Sequence, residues 1–172
     1  KLLNEGIIIG LPAVIIGAYS INFINENLAR QFLGLLILIV FFLSFTKSYN
    51  QGRTEPNSLI VYPVLFIIGF LNGSLSAGTG LLYTIMLTKL YGYTYKEAIG
   101  YTLLVVGLFF NLVGAIVLYL VSSIDVSLLP ILLIGSFAGG YVGAMVAIKK
   151  SNVLIRTTYQ LVTLIVAYKL LF

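Results

Sequence analysis

Residues 59–90 make a thirty-two-residue apolar segment that carries no charge before Lys89. At about 1.5 Å per residue it would form a helix of roughly 48 Å, against the ~30 Å hydrocarbon core that one crossing needs. A helix of that length has to bend, stop or turn back. Its middle holds a small, polar run, Asn72-Gly73-Ser74-Leu75-Ser76-Ala77-Gly78-Thr79-Gly80. Three glycines weaken the helix there, and Asn72, Ser74, Ser76 and Thr79 can hydrogen-bond backbone groups that an interruption leaves unpaired. Non-helical backbone is tolerated at membrane depth only where protein buries it or where it lines a water-filled cavity. The run is therefore a candidate binding site between two half-helices, residues 59–71 and 79–90.

The surrounding sequence supports a membrane setting. The chain of 172 residues is 60% hydrophobic and 9% charged, with a mean hydropathy of +1.09. That is more apolar surface than a water-soluble domain of this size can bury. Five further apolar runs of about twenty residues flank the interrupted segment, which predicts an all-α polytopic membrane protein. They are segment A (residues 6–22), B (28–46), D (97–121), E (126–148) and F (153–172), with the interrupted segment as C. The expected architecture is five full transmembrane helices plus one broken, re-entrant helical hairpin, arranged as in inverted-repeat transporters.

Several function classes are disfavoured by what the chain contains. The net charge of +5 comes from ten Lys and Arg scattered among short loops, a pattern of membrane topology and not of a nucleic-acid-binding patch. With no cysteine and no histidine, disulfides, thiol chemistry, zinc sites and imidazole relays have no residues to use. Glu5, Glu26, Glu55, Glu97 and Asp125 all fall at or near segment ends. A buried carboxylate proton relay and a hydrolytic nucleophile–base pair are therefore not expected, nor is a cofactor or a metal centre. Residues 73–79 place glycines five apart before a threonine, but the lysine of a phosphate loop is missing and the setting is apolar, so no nucleotide site is assigned.

Order along the chain adds a topology. Segments A and B read as a helical hairpin turning at residues 22–27. Residues 47–58, rich in Gly, Pro, Asn and Ser, read as an exposed loop that divides two halves. Thr94-Tyr95-Lys96-Glu97 has the form of a capping box that opens segment D. Ile8-Ile9-Gly10-Leu11-Pro12-Ala13 lines up with Leu133-Ile134-Gly135-Ser136-Phe137-Ala138, and Leu28-Ala29-Arg30 with Leu154-Ile155-Arg156, so hairpin A/B resembles hairpin E/F. Residues 1–46 are then the closing hairpin of a first repeat and residues 59–172 a second repeat, with a first copy of C and D expected before residue 1. A single crossing by C divides the basic residues six against four. A re-entrant C puts Lys1, Lys47, Arg53, Lys89, Lys96, Lys149, Lys150 and Arg156 on one side and leaves Arg30 and Lys169 on the other, which fits the positive-inside rule better. The loops 47–58, 89–96 and 149–156 are then cytoplasmic. Each repeat would hold three full crossings, so the copies would be inverted, a transporter architecture when discontinuous helices meet at the midplane.

Four other features bear on a site or on the packing around it. Gly100, Gly107 and Gly114 recur every seven residues in segment D, and Asn111 follows on the same smooth face as either an interhelical hydrogen bond or a substrate contact. Gly135, Gly139 and Gly143 form a doubled small-xxx-small pattern whose plain meaning is close helix packing. Pro12, Pro63 and Pro130 mark kinks or helix starts. The second half-helix begins near Thr79, where free N–H groups and the positive helix end would attract an anion without a buried Arg or Lys. The alternative is a glycine hinge that only allows helices to pack.

The run from Gly69 to Gly80 (GFLNGSLSAGTG) resembles the glycine-rich signature of the sulfite exporter TauE/SafE family, whose usual form is close to GFxSGxxGxGGG. Ala98-Ile99-Gly100-Tyr101-Thr102-Leu103 resembles that family's A-x-G-T-S-L element, and Asn111-Leu112-Val113-Gly114-Ala115 the small-residue turn that follows. Departures are Ala77-Gly78-Thr79-Gly80 in the glycine run and Tyr101-Thr102 where Thr-Ser is common. The resemblance implies a multipass permease that moves a small inorganic or organosulfur anion such as sulfite, thiosulfate or sulfoacetate across the cell membrane. Alternating access around the broken helix would then use Asn72, Ser74, Ser76, Gly78, Thr79 and Gly80 as donors, Asn111 opposite, and Gly73 as hinge. An anion channel and a non-transporting membrane subunit are the alternatives. The lipid bilayer is one partner, and the first-repeat segment or a second copy of the chain another.

Overall fold

The computed structural model describes residues 2–43, 53–76, 78–121, 126–149, 161 and 164–169. Most of segment F, the loop residues 44–52, Ala77 and the links 122–125 and 150–160 lie outside the described residues. Every element described is helical. Helix α1 is Leu2–Ser20, continued by a 3₁₀ turn at Ile21–Phe23, and α2 is Glu26–Leu43. Helices α3 (Ser58–Leu75) and α4 (Thr79–Leu90) flank the break. Helix α5 (Tyr95–Thr102) runs into a π-helical stretch, Leu103–Phe110, and then into α6 (Asn111–Val121). A 3₁₀ turn at Val126–Leu128 precedes α7 (Leu129–Lys149). Leu3–Phe23, Ser58–Leu75 and Glu97–Val121 are long and apolar enough to cross a membrane, and Asn27–Ile39 and Leu129–Gly143 add shorter apolar helices. The all-α membrane fold follows.

The central element is the α3–α4 hairpin. Asn57 caps α3 by accepting from the Leu59 N–H at 3.0 Å. At the far end Ser76 turns left-handed at φ 56° and its N–H returns to the Leu71 carbonyl, a helix stop of the αL type. Gly78 is also left-handed, at φ 74°, and α4 starts at once. Two left-handed residues two positions apart reverse the chain. The reversal is proved at the opposite end, where the Thr54 N–H donates to the Tyr91 carbonyl at 3.1 Å and the Thr54 hydroxyl to the Leu90 carbonyl at 2.7 Å. The hairpin thus enters and leaves at the same end of the molecule. Single cysteines at Glu55 and Tyr95 should accordingly react with a membrane-impermeant maleimide from the same side of the membrane; labelling from opposite sides would contradict the hairpin.

The first limb is longer than the sequence predicts, eighteen residues where thirteen were expected, whereas α4 has the expected twelve. Tertiary contacts keep the extra turn helical. A Cβ on Gly73 would run into the backbone of α1 at Val14 and Ala18, so the glycine is spent on close approach. The Ser74 hydroxyl donates to the Phe70 carbonyl one turn back at 2.9 Å, a bond compatible with helix.

Helix α1 runs parallel to α3 and meets it through glycines: Gly69 against the Gly10 carbonyl, Gly73 against Val14, and Gly17 against the Phe70 carbonyl. Small residues let two backbones meet where no apolar solvent difference would otherwise hold helices together. Phe110 lies across Gly10, and Val61, Leu65, Ile68, Tyr83 and Val105 fill the remaining space between α1, the hairpin and the α5–α6 crossing. Thr94 forms the expected capping box with Glu97 at the start of α5. Pro12 and Pro63 lie inside α1 and α3, and Pro130 is the second residue of α7.

One packing expectation finds no partner among the described residues, and another is corrected. Gly135, Gly139 and Gly143 have no atom within 4 Å of where a Cβ would stand, because α7 is exposed along its described length, so they mediate no close packing among the described residues. Gly100, Gly107 and Gly114 do not share a face: the first two are exposed, while Gly114 is buried near Val14. The π-helical stretch between them has a different number of residues per turn, which breaks a sevenfold register.

Candidate functional site

Asn72, on the last turn of α3, sits about 21 Å up the helix from Ser58, and Asn111 about 24 Å along a crossing of roughly 40 Å. Both amides therefore lie near mid-depth. There the Asn72 Nδ2 donates to the Thr79 Oγ1 at 2.9 Å across the break, and to the Asn111 Oδ1 at 3.2 Å on the neighbouring crossing. Asn72 is 3% exposed and Thr79 1%. One side chain thus ties both limbs of the hairpin to α6.

The π-helical stretch sets the position of Asn111. Its backbone N–H is shared between the Leu108 and Val106 carbonyls, passing over Gly107, and its side-chain amide donates to the Gly107 carbonyl at 3.4 Å. That bond fixes the orientation of the Asn111 amide, with Oδ1 facing Asn72. Asn72 must then present its Nδ2, and its own Oδ1 has no partner although it is buried.

Helix α4 starts without a side-chain cap on its N-terminal N–H groups, its N-cap being Gly78. The first N–H groups of a helix have no partner within it, and the dipole adds positive potential there. Thr79 accepts from Asn72, which leaves its own hydroxyl proton free to point elsewhere. The break therefore combines uncapped N–H groups, a hydroxyl and an amide at one buried point, and no Asp, Glu, Lys or Arg occurs in residues 6–20, 59–88 or 98–121. Such a set can hold an anion by hydrogen bonds and the helix dipole alone.

The sequence-predicted residues divide accordingly. Asn72, Thr79 and Asn111 are brought together, with Gly78 and Gly80 beside them on the backbone of the break. Ser74 is turned into its own helix, its proton committed to Phe70. Ser76 is exposed and acts through its left-handed backbone. Gly73 lies inside α3 against α1, so the left-handed backbone of the break belongs to Ser76 and Gly78 and not to Gly73. Gly80 would place a Cβ 3.4 Å from the Thr102 methyl, an ordinary van der Waals contact. Because a non-glycine residue at φ 56° is strained, Ser76→Gly should stabilise the protein by roughly 0.5–1 kcal/mol without changing transport, read from thermal midpoint and uptake together.

Sequence reasoning passed over a second polar pair. One turn below the break, Thr84 and Thr102 meet hydroxyl to hydroxyl at 2.8 Å, both buried, and each also approaches a carbonyl of its own helix, Gly80 and Ala98 respectively. Threonines in an apolar segment are the only signal that could have marked them.

The base of the hairpin is polar and tied. Arg53 donates to Glu97 at 2.9 Å and lies 5.3 Å over the Tyr93 ring, and its hydrogen bond to the Glu97 carboxylate is the largest influence raising the Arg53 pKa. The Tyr91 hydroxyl donates to Glu5 on α1 at 3.0 Å, and burial, then that bond, pushes its pKa up. A cavity of about 320 Å³ opens between these groups, lined by Glu5, Arg53, Ser58, Tyr91, Tyr93 and Tyr101 among others. It is separate from the break, none of whose residues line it.

No curated protein and no solved structure matches the chain. The family model described as sulfite exporter TauE/SafE matches residues 4–170, which takes in the hairpin, its tip and the crossing that carries Asn111. By that match over nearly its whole length, the chain belongs to the sulfite exporter TauE/SafE family, a family of membrane transporters.

Proposed function

We propose that the protein is a secondary carrier for a small sulfur oxyanion or organosulfonate, with the anion held at the tip of the α3–α4 hairpin. The observation that carries this reading is the uncapped start of α4 at mid-depth, beside Thr79, Asn72 and Asn111. Family membership supplies the sulfur chemistry. Alternating access would follow if the hairpin tip is reached in turn from either side of the membrane. Asn111 supports a further partner: it is exposed at mid-depth, where lipid offers an amide nothing, so an opposing polar surface belongs beside it. An inverted counterpart of this hairpin, from a preceding repeat or a second copy of the chain, has the required chemistry. The end holding Arg53, Lys89 and Glu97 is assigned to the cytoplasm by the excess of basic residues there.

The test is binding of sulfite, thiosulfate and a small sulfonate to the purified full-length protein, read as a rise in thermal midpoint with chloride as control. Saturable stabilisation by one sulfur anion is expected. Equal midpoints with all of them and with chloride would withdraw the sulfur assignment.

A further inference from the structure

The break has two helix ends, and the anion reading uses only one. Helix α4 offers N–H groups. Helix α3 stops at the same place and presents its last carbonyls, which helix geometry leaves without intrahelical N–H partners and which carry the negative end of the dipole. Two buried side-chain atoms have no hydrogen-bond partner among the described residues: one is the Tyr83 hydroxyl, away from the break, and the other is the Oδ1 of Asn72, in the last turn of α3. Its orientation follows from the chain of bonds Asn111 Nδ2 to Gly107 O and Asn72 Nδ2 to Asn111 Oδ1. A buried carbonyl oxygen without a donor costs about 1–3 kcal/mol, and a water or a cation is what such an oxygen can accept in its place.

Charge balance leads to the same conclusion. Residues 6–20, 59–88 and 98–121 carry no ionisable acid or base other than tyrosine, so an anion at mid-depth meets no positive side chain. A lone charge in that setting is expensive unless it is paired. A neutral amide cannot hold a proton near neutral pH, and no carboxylate is present to favour Ca²⁺ or Mg²⁺. Neutral amide, hydroxyl and carbonyl oxygens suit a monovalent alkali cation.

We propose that the C-terminal end of α3, with the Asn72 Oδ1, binds a monovalent metal cation that travels with the anion. The cation sits on the carbonyl side of the break and the anion on the N–H side, so the pair crosses the membrane depth with little net charge. This rests on the anion reading for its second ligand, but the cation site is measurable alone.

The probe is Na⁺ on the purified full-length protein, with choline at equal ionic strength as control, first with no sulfur anion present. Na⁺ should raise the thermal midpoint saturably where choline does not. Saturating Na⁺ should tighten sulfite binding by about tenfold or more, and sulfite should tighten Na⁺ binding by the same factor, as linkage requires. Asn72→Asp keeps an acceptor and adds charge, so it should tighten Na⁺ and weaken sulfite. Asn72→Leu should remove the Na⁺ response, and the opposite sign in the Asp variant separates this from simple misfolding. K⁺ acting as well as Na⁺ would still support the site, without size selection. Sulfite stabilisation that is the same in choline and Na⁺ would overturn the cation site and leave the anion reading intact. Sulfite binding that ignores Na⁺ and strengthens as pH falls would overturn it in favour of a proton carried on the substrate. A Na⁺ response without any sulfur-anion response would support the cation site and withdraw the anion.

Discussion

Thr79→Val lowers sulfite uptake into proteoliposomes by about tenfold or more, while Thr79→Ser retains most of it. Valine has the shape and β-branching of threonine, so the start of α4 is preserved and only the hydroxyl is lost. That hydroxyl accepts from Asn72 at 2.9 Å and holds the proton closest to the uncapped N–H groups. A hydrogen bond to a charged group contributes about 1.5–3 kcal/mol, which as a rate or affinity is at least an order of magnitude. Serine restores the oxygen at the same first position of the helix. Uptake of Thr79→Val at the native level would reduce the break to a packing device, since Thr79 is 1% exposed and has no other polar role in the structure.

Gly73→Ala costs roughly 3 kcal/mol, the upper end of overpacking, and lowers the thermal midpoint by about 6–12 °C in a protein of this size. The added methyl would meet the Val14 carbonyl and the Ala18 N, and both are backbone. No side chain can rotate out of the way, so α1 and α3 have to separate along their parallel contact. Gly17→Ala meets the Phe70 carbonyl and behaves in the same way. Gly143→Ala is the control: nothing lies within 4 Å of it, and its midpoint stays within the small range of surface substitutions. Equal effects at Gly73 and Gly143 would mean that α1 and α3 do not pack as described.

What was legible in the sequence was local chemistry. The break falls within the small polar run because glycine and short polar side chains at that spacing have few other uses in an apolar segment. The capping box at Thr94 and Glu97 and the twelve residues of α4 follow from nearest neighbours alone. The reversal of the hairpin was argued from charge counting and is fixed by Thr54 bonding to Leu90 and Tyr91. Long-range contacts were hidden. Asn72, Gly73 and Ser74 stay helical because α1, Thr79 and Asn111 are present to receive them, and none of these is a sequence neighbour. The face of segment D could not be read because an eight-residue π-helix has no apolar period that distinguishes it from α-helix. The glycines of α7 carry a packing pattern without a described partner, which shows that spacing states what a helix permits and not what it touches. At the site, the pairing of Asn72 with Thr79 and Asn111 was within reach of the residue types, whereas the commitment of Ser74 to Phe70 was not.

The extra residue per turn in Leu103–Phe110 also makes α5–α6 convertible. If the Asn111 N–H, now shared between the Val106 and Leu108 carbonyls, moved to Gly107, that turn would become ordinary α-helix and the residues beyond it would rotate by about 100°. The side-chain amide that now covers the Gly107 carbonyl would be displaced by its own backbone, and the Asn111 Oδ1 would swing out of reach of Asn72. Such a change, with no helix unfolded and no charge moved, would release the hairpin tip from the half of the molecule beyond it.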